Sequence, residues 1–504
     1  MDTVQIRPLQ RRETRKKVTL IQHPTVAIKI DGFTHPDLDY FSASGLYLGN
    51  IYRRIIPASL ARVASVIEEE LAYDVDILDL RIVGCDNEET YKTMDWEGYN
   101  LEVRRVGAPF SYADRVICES DIIGLSSHFT YESGVVRDLI AYLKQINPQV
   151  KVIVGGADVS ARPNDYLGFG ADVAFVGDFN PYALAELGPQ PKIVGSYRHY
   201  FEALTRPAFH KLGRLMEYED SHDGPVPVGV RPPIGFIYFT RGCPRECNFC
   251  ESRQTVYEHL DLDTAVAMLE NYRRAGIHTL NIVDDNLLLQ AANREGRARL
   301  LDLFQTLRDM EFAWEFPNGL EIGRLSKKGM LDEELMDALF SHTRDPLTDR
   351  LTGAYRLYVP VETFDKRNSY SKLKPLQELN NTIAWLASSG LPEIDFGVVI
   401  PPDADNRTFE ATKEGYLNIR DIVNSNGDTK ARYSIFHLIP IATFRGMQTK
   451  YSIHELPEGW NFYFPIYDGL HFSARELFEA RLRLVKEIDF ENYQSMRMGK
   501  YAYA

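Results

Sequence analysis

From Val18 to about Asn180 the chain alternates short apolar runs with longer stretches of helical period. That alternation predicts a doubly wound parallel sheet covered by helices. The strand candidates are VTLIQ, VDILDL, SDIIGLSS, VKVIVGG and ADVAFVGD. Between them, IPASLARVASVIEEELA and GVVRDLIAYLKQI space apolar residues three and four apart, so each lays one face on the sheet. The expectation is a five-stranded Rossmann-like unit. Small or polar residues stand at several strand ends: Ser126 and Ser127, Gly155 and Gly156, and Gly177 with Asp178. Ligands of open α/β sheets lie at those carboxyl ends, where glycine lets the backbone approach closely, so a flat ligand fits across this edge.

Eight prolines between residues 181 and 233 mark an irregular connector. Alternation then resumes with IGFIYFT, LNIVDDN, AWEFPNGL, YRLYVPVE, IDFGVVIPP and YSIFHLIP, separated by helical segments. Six β/α steps in about 200 residues predict a partial barrel, open where an eight-fold barrel would close. The last 60 or so residues, rich in Tyr and Phe, read as a cap. The expected organisation is α/β throughout: a Rossmann-like domain over 1–195, a connector over 196–232, a partial (β/α)6 barrel over 233–442, and a carboxyl-terminal cap over 443–504.

At 504 residues the chain is too long for one ordinary core. No apolar run approaches the roughly 18–20 residues of a membrane span. The basic start MDTVQIRPLQRRETRKK runs into a strand rather than an apolar signal core, so no export signal is expected. A net charge of −14 argues against a duplex nucleic-acid binder, which would need a basic face. Three of the five cysteines crowd between 243 and 250, which favours metal binding in a reducing compartment, the cytoplasm, over a disulfide framework.

Arg241 to Cys250 reads RGCPRECNFC, placing Cys243, Cys247 and Cys250 in a C-x3-C-x2-C spacing directly after an apolar strand. Three thiolates satisfy three irons of a 4Fe-4S cluster and leave the fourth open to another ligand. The plainer reading is zinc. Zinc would want a fourth ligand, and the spacing matches neither common zinc pattern.

That spacing, with Phe249 before the last cysteine and IYFTRG ahead of the first, resembles the signature of the radical S-adenosylmethionine (SAM) superfamily. The resemblance implies that SAM chelates the open iron and is cleaved by one electron to a 5′-deoxyadenosyl radical. It also implies SAM contacts at strand ends. Where the family commonly has Gly-Gly-Glu, this chain has Val283-Asp284-Asp285-Asn286, a form similar to the corrinoid-dependent branch, so Asp284 and Asp285 are the expected substitutes. Glu362 resembles the polar residue that meets ribose or methionine, and VVIPP, with Pro401, is similar to the segment beside adenine. Each of these acidic residues also has a plainer role as a helix cap or turn.

The amino-terminal unit resembles the corrinoid-binding domain of the same branch, through DIIGLSS, VKVIVGGADVS and GADVAFVGD in that order. The resemblance makes Ser126, Ser127, Gly155, Gly156, Gly177 and Asp178 the expected cobalamin contacts. One departure is clear: the D-x-H-x-x-G that supplies a lower cobalt ligand in the classical corrinoid fold has no match, and Asp220 to Gly224 reads as a turn. His23 and His128 stand at strand ends, where a lone histidine is more often a hydrogen-bonding residue.

The function this implies is methylation of an unactivated carbon or phosphorus centre of a small-molecule or peptide substrate, fed by an external one-electron reductant of flavodoxin or ferredoxin type. Within the family the alternative is ring closure or rearrangement without methyl transfer; from another class comes a non-catalytic corrinoid or electron carrier. Methylthio transfer would need further upstream cluster cysteines, and only Cys85 and Cys118 remain. No spacing singles out a catalytic acid or base among such candidates as Tyr433, His437 and Tyr451.

Overall fold

The computed structural model describes residues 15–31, 34–35, 39–40, 46–48, 53–195, 205–221, 226–247, 250, 252, 256–367, 376–438, 451–454, 457–459 and 462–490. Its first sheet is built from β1 (Lys17–Gln22), β2 (Asp74–Asp79), β3 (Ile122–Ser126), β4 (Lys151–Gly155), β5 (Val173–Val176) and β6 (Lys192–Gly195). They lie in the order β6-β5-β4-β3-β1-β2, with every neighbouring pair parallel. Helix Ser133–Ile146 buries Val136, Leu139 and Leu143 against one face, and helix Ala58–Leu71 buries Leu60, Ala64 and Ile67 against the other. Strands covered on both sides need near-continuous apolar runs, which is why five of them stand out in the sequence. The sheet nevertheless has six strands, not five. β6 falls in the proline-rich stretch and alternates half-buried with exposed positions, so no apolar run marks it.

The order reverses between β1 and β3, which opens a crevice at their carboxyl ends, the place where such sheets take ligands. An antiparallel sheet not expected from the sequence is inserted beside it. It orders Leu46–Leu48, Thr25–Asp31, Tyr99–Val106 and Glu88–Trp96.

The second sheet holds β7 (Ile234–Ile237), β8 (Thr279–Ile282), β9 (Ala313–Phe316), β10 (Leu351–Glu362), β11 (Glu393–Ile400) and β12 (Lys430–His437), parallel and in sequential order. Strand His342–Arg344 pairs antiparallel with β10. The intervening helices start where Asp261, Asn293, Asp332 and Asp405 accept backbone N–H bonds at their amino ends. This is the six-step partial barrel. One layer of its interior is polar: a bulge at Tyr355 brings Glu315 opposite Arg356, and Arg356 is paired in register with Glu393. The Arg356 guanidinium, 1% exposed, reaches Glu315 at 3.0 Å and Glu393 at 2.7 Å. Ser221 of the connector donates to Glu315, so this polar layer is tied to the connector, while ligands of such barrels bind at the carboxyl-terminal mouth.

The described part of the cap does more than cover the barrel. Helix Ala474–Ile488, which starts in a capping box of Ser473 and Glu476, packs on β12 and fastens to the inserted antiparallel sheet. Trp96 and Phe464 ring centroids are 4.2 Å apart, the Tyr99 hydroxyl donates to Glu479 at 2.7 Å, and Arg475 donates to the Glu97 carbonyl at 3.0 Å. The two halves also meet directly. Arg62 of helix Ala58–Leu71 donates to the Phe236 carbonyl at 2.6 Å, with its guanidinium 4.3 Å from the Tyr238 ring centroid. Among the described residues no helix is long and apolar enough to cross a membrane.

Candidate active site between the two sheets

The loop carrying the cysteines leaves β7 and is tied down by the end of β8. Asp284 and Asp285 are neighbours where the chain bends after β8, and their side chains take different partners. Asp284, 3% exposed, accepts from the Phe239 N–H at 3.2 Å and from the Thr240 N–H, which braces the chain just before the loop. Burial raises its pKa from 3.8 to about 7. The structure therefore turns Asp284, an expected SAM contact, toward backbone. Asp285 accepts from the Gly242 N–H at 2.7 Å and from the Ser252 hydroxyl, and it faces the open cavity.

An acid whose folded pKa exceeds its unfolded one binds protons more tightly in the native chain. Its contribution is greatest in acid and is lost as pH rises toward the folded value, at roughly 1.4 kcal/mol per pH unit in between. Relative to Asp284→Asn, the native protein should therefore lose thermal stability as pH rises from about 5 to about 8. A difference in unfolding midpoint that does not change with pH would contradict the assignment.

Cys243 is buried and Cys247 and Cys250 are partly so; all three lie within one loop, whose turn closes with the Cys250 N–H donating to the Cys247 carbonyl at 3.1 Å. A single tetrahedral zinc, with Zn–S bonds of about 2.3 Å, would gather its sulfurs to about 3.8 Å. Among the described residues, however, only Glu97, His454 and Asp468 form a set of three ligand atoms within 4.8 Å of one another. The three cysteine sulfurs do not form such a set. The Glu97 set is itself a poor metal site. The His454 Nδ1 faces the Trp96 indole N–H at 3.2 Å, which leaves the ring proton on Nε2, and Asp468 already accepts from the Ala474 N–H at 2.9 Å.

Asn286 and Glu321, which the sequence did not single out, stand beside the loop. The Asn286 amide nitrogen lies 3.7 Å from Cys243 Sγ and 3.3 Å from a Glu321 oxygen. Glu321 also pairs with Arg245, inside the cysteine loop, and with Arg324 at 2.8 Å.

A cavity of about 340 Å³ lies between the barrel mouth and the crevice of the first sheet. Ser126, Gly155, Gly156, Gly177 and Asp178 line one side; Tyr238, Thr240, Arg241, Val283 and Asp285 line the other. Two ligand edges thus face one space. An ion pair between Arg241, two residues before Cys243, and Asp178 crosses it. Gly156 is glycine for a reason. Its φ is +115°, and a Cβ there would sit 2.2 Å from the Ser127 carbonyl oxygen. Ser127 itself is turned inward, its hydroxyl 2.6 Å from that of Tyr166, so of the expected cobalamin contacts it is the one whose side chain leaves the cavity.

His128 lines the cavity, whereas His23 is fully buried, 2.7 Å from the Pro24 carbonyl and beside Glu132. Burial lowers the His23 pKa and keeps it neutral. Glu362 ends β10, buried and with φ +67°, a left-handed conformation uncommon outside glycine and typical of constrained sites. Pro401 follows β11 directly and is buried; neither lines the cavity described above. Phe249 lies outside the described residues, as do His222 to Gly224 of the connector turn. Tyr433 packs on Phe396 and Tyr416, and His437 is fully buried beside Arg481, so both face the helices outside the barrel rather than its mouth.

The B12 binding domain family matches residues 97–185, the stretch that carries β3, β4 and β5. A cytidylyl-2-hydroxyethylphosphonate methyltransferase from Streptomyces wedmorensis is 22% identical over 415 residues, 72% of this chain and 72% of that protein. A hopanoid C-3 methylase from Methylococcus capsulatus is 22% identical over 209 residues, 40% of this chain and 36% of its own. The solved structure of the cobalamin-dependent S-adenosylmethionine radical enzyme OxsB with aqua-cobalamin bound superposes with a TM-score of 0.61 at 13% identity, over 95% of this chain and 68% of that one. Fold and cavity define a protein in which the mouth of a partial β/α barrel faces the ligand edge of a B12 binding domain. The chain carries a B12 binding domain and is homologous to cobalamin-dependent radical SAM methyltransferases.

Proposed function

We propose that the protein is a methyltransferase acting on an unactivated carbon or phosphorus centre of a small molecule or peptide, with cobalamin, SAM and a 4Fe-4S cluster as its bound groups. The observation that carries this reading is the one cavity onto which Gly155, Gly156 and Gly177 open from one side and, from the other, Asp285 and Arg241, the residue that leads into the cysteine loop. Those groups supply a hydrogen-abstracting radical and a transferable methyl. Both must reach one substrate atom, within roughly 3–3.5 Å, so both must face one space.

The chain's own part is binding and exclusion. Cys243, Cys247 and Cys250 would hold the cluster, and Asp285, which fixes the loop through Gly242, would stand beside SAM. Glu362 and Pro401 would flank SAM at the ends of β10 and β11. The glycine edges let a flat corrin approach backbone, and the Arg241–Asp178 pair bridges the two binding edges. The electron would come from a flavodoxin- or ferredoxin-like donor.

The test is anaerobic turnover of the reconstituted protein with SAM, cobalamin and a panel of acceptors that includes a nucleotide-linked phosphonate. Methyl transfer releases one S-adenosylhomocysteine alongside each 5′-deoxyadenosine and methylated product. Product formation with 5′-deoxyadenosine but no S-adenosylhomocysteine would replace this reading with ring closure or rearrangement. No SAM cleavage under reduction would leave a carrier.

A further inference from the structure

We infer that Asn286 donates an N–H···S hydrogen bond to the Cys243 thiolate, and that Glu321 orients it, so that this residue tunes the cluster that Cys243 helps to hold. The inference rests on the iron–sulfur reading above and adds a residue to it.

A side-chain amide has two N–H donors and one carbonyl acceptor. Both donors of Asn286 have acceptors in reach: Cys243 Sγ at 3.7 Å, within the longer range of sulfur, and Glu321 Oε2 at 3.3 Å. The orientation of the amide is fixed by its neighbours. Flipping it would set the carbonyl oxygen against a thiolate and a carboxylate, two acceptors, so the amino group must face them. Glu321 is held in turn. Although burial works the other way, Arg324 and Arg245 keep its carboxyl below the usual carboxylate range, so it stays charged. Arg245 lies between Cys243 and Cys247, so the same carboxylate ties the loop and aims the amide. The Asn286 backbone is fixed as well, its carbonyl accepting from the Tyr257 hydroxyl at 3.3 Å. The residue is 8% exposed, so water does not compete for the sulfur.

A hydrogen bond to a cluster thiolate stabilises the more electron-rich, reduced state and raises its reduction potential. In a site whose chemistry begins with cluster reduction, the donor lowers the demand on the external reductant. Asn286 is thus a positioning residue, acting through Cys243.

The decisive measurement uses the reconstituted wild-type protein with 15N-labelled asparagine, read by pulsed electron paramagnetic resonance of the reduced cluster. A weak 15N coupling is expected, and it should vanish in Asn286→Leu. In redox titrations, Asn286→Leu should shift the cluster midpoint to a lower potential with iron content unchanged. Asn286→Asp, which keeps the shape but replaces the donors with a charge, should shift it further the same way. A wild-type cluster with no such coupling, or variants with assembled clusters and unshifted midpoints, overturns the inference. The 15N measurement needs no variant, so misfolding of the substituted proteins does not shelter it. A wild-type protein that assembles no cluster sinks instead the iron–sulfur reading beneath it.

Discussion

Replacing any one of Cys243, Cys247 and Cys250 with alanine should abolish cluster assembly and, with it, SAM cleavage, whereas Cys85→Ala and Cys118→Ala should leave both intact. The expected loss is complete, because a cluster with one open iron has only three protein ligands and no spare donor to replace a missing one. The two other cysteines are out of position. Cys85 is buried in the first half, its carbonyl accepting from Arg53 at 2.8 Å, and Cys118 is exposed on the short helix Asp114–Glu119. The fold should survive each loop substitution, since the loop is anchored through Asp285, Glu321 and Asp284 rather than through its sulfurs. Iron and sulfide analysis of anaerobically reconstituted variants, with 5′-deoxyadenosine as the activity readout, checks this. Iron lost in Cys85→Ala or Cys118→Ala, or retained in full in Cys243→Ala, would show the ligand set to be different.

The parallel strands were legible because both faces of each are covered. Burial on two sides demands unbroken apolar runs such as Ile122–Leu125 and Val152–Val154, which no exposed segment needs. The antiparallel insert was not legible. Glu88–Trp96 is mostly exposed or half-buried, and its apolar partners are supplied by residues far along the chain, Phe464 and Phe478 against Trp96. The same long reach hid the fastening of the carboxyl-terminal segment to the amino-terminal half.

At the site, residue type and spacing single out the cysteine loop and the glycine edges but do not say which of two adjacent side chains faces the cavity. Asp284 and Asp285 differ by one position, and the bend that follows β8 decides which way each carboxylate turns. Which aspartate entered the cavity was decided by how β8 lies against β7, where the Phe239 and Thr240 N–H groups wait for a carboxylate. Ser127, one residue past Ser126, likewise turns its hydroxyl to Tyr166, and only the packing shows it. Arg241 and Asn286 sat inside motifs already noted, and strand-end position was the signal for both. Glu321 follows β9 with no pattern of its own, and only packing brings it to the loop.

Gly156→Val should cost most or all cobalamin retention while leaving iron content unchanged. At φ +115° a β-branched residue carries backbone strain of about 1–3 kcal/mol, before any overlap is counted. The overlap is severe, with a Cβ 2.2 Å from the Ser127 carbonyl oxygen. That oxygen belongs to backbone pinned to the neighbouring strand end, where the Ser127 N–H donates to the Gly155 carbonyl at 2.8 Å, so it cannot withdraw without parting β3 from β4. The relief available is outward displacement of the turn into the cavity, into the space the corrin would occupy. Each 1.4 kcal/mol is a factor of about ten in affinity, so the weakening should exceed tenfold. The cluster should be indifferent, because its loop is held from the barrel side by Asp285 and Glu321. Ser127→Ala is the matched control. It removes one buried hydrogen bond to Tyr166, worth about 1 kcal/mol of stability, from a side chain that faces away from the cavity, so retention should stay near that of the unmodified protein. Equilibrium dialysis against hydroxocobalamin separates the two. Full retention by Gly156→Val would move the corrin off this edge, and equal loss in Ser127→Ala would make the effect one of folding rather than of contact.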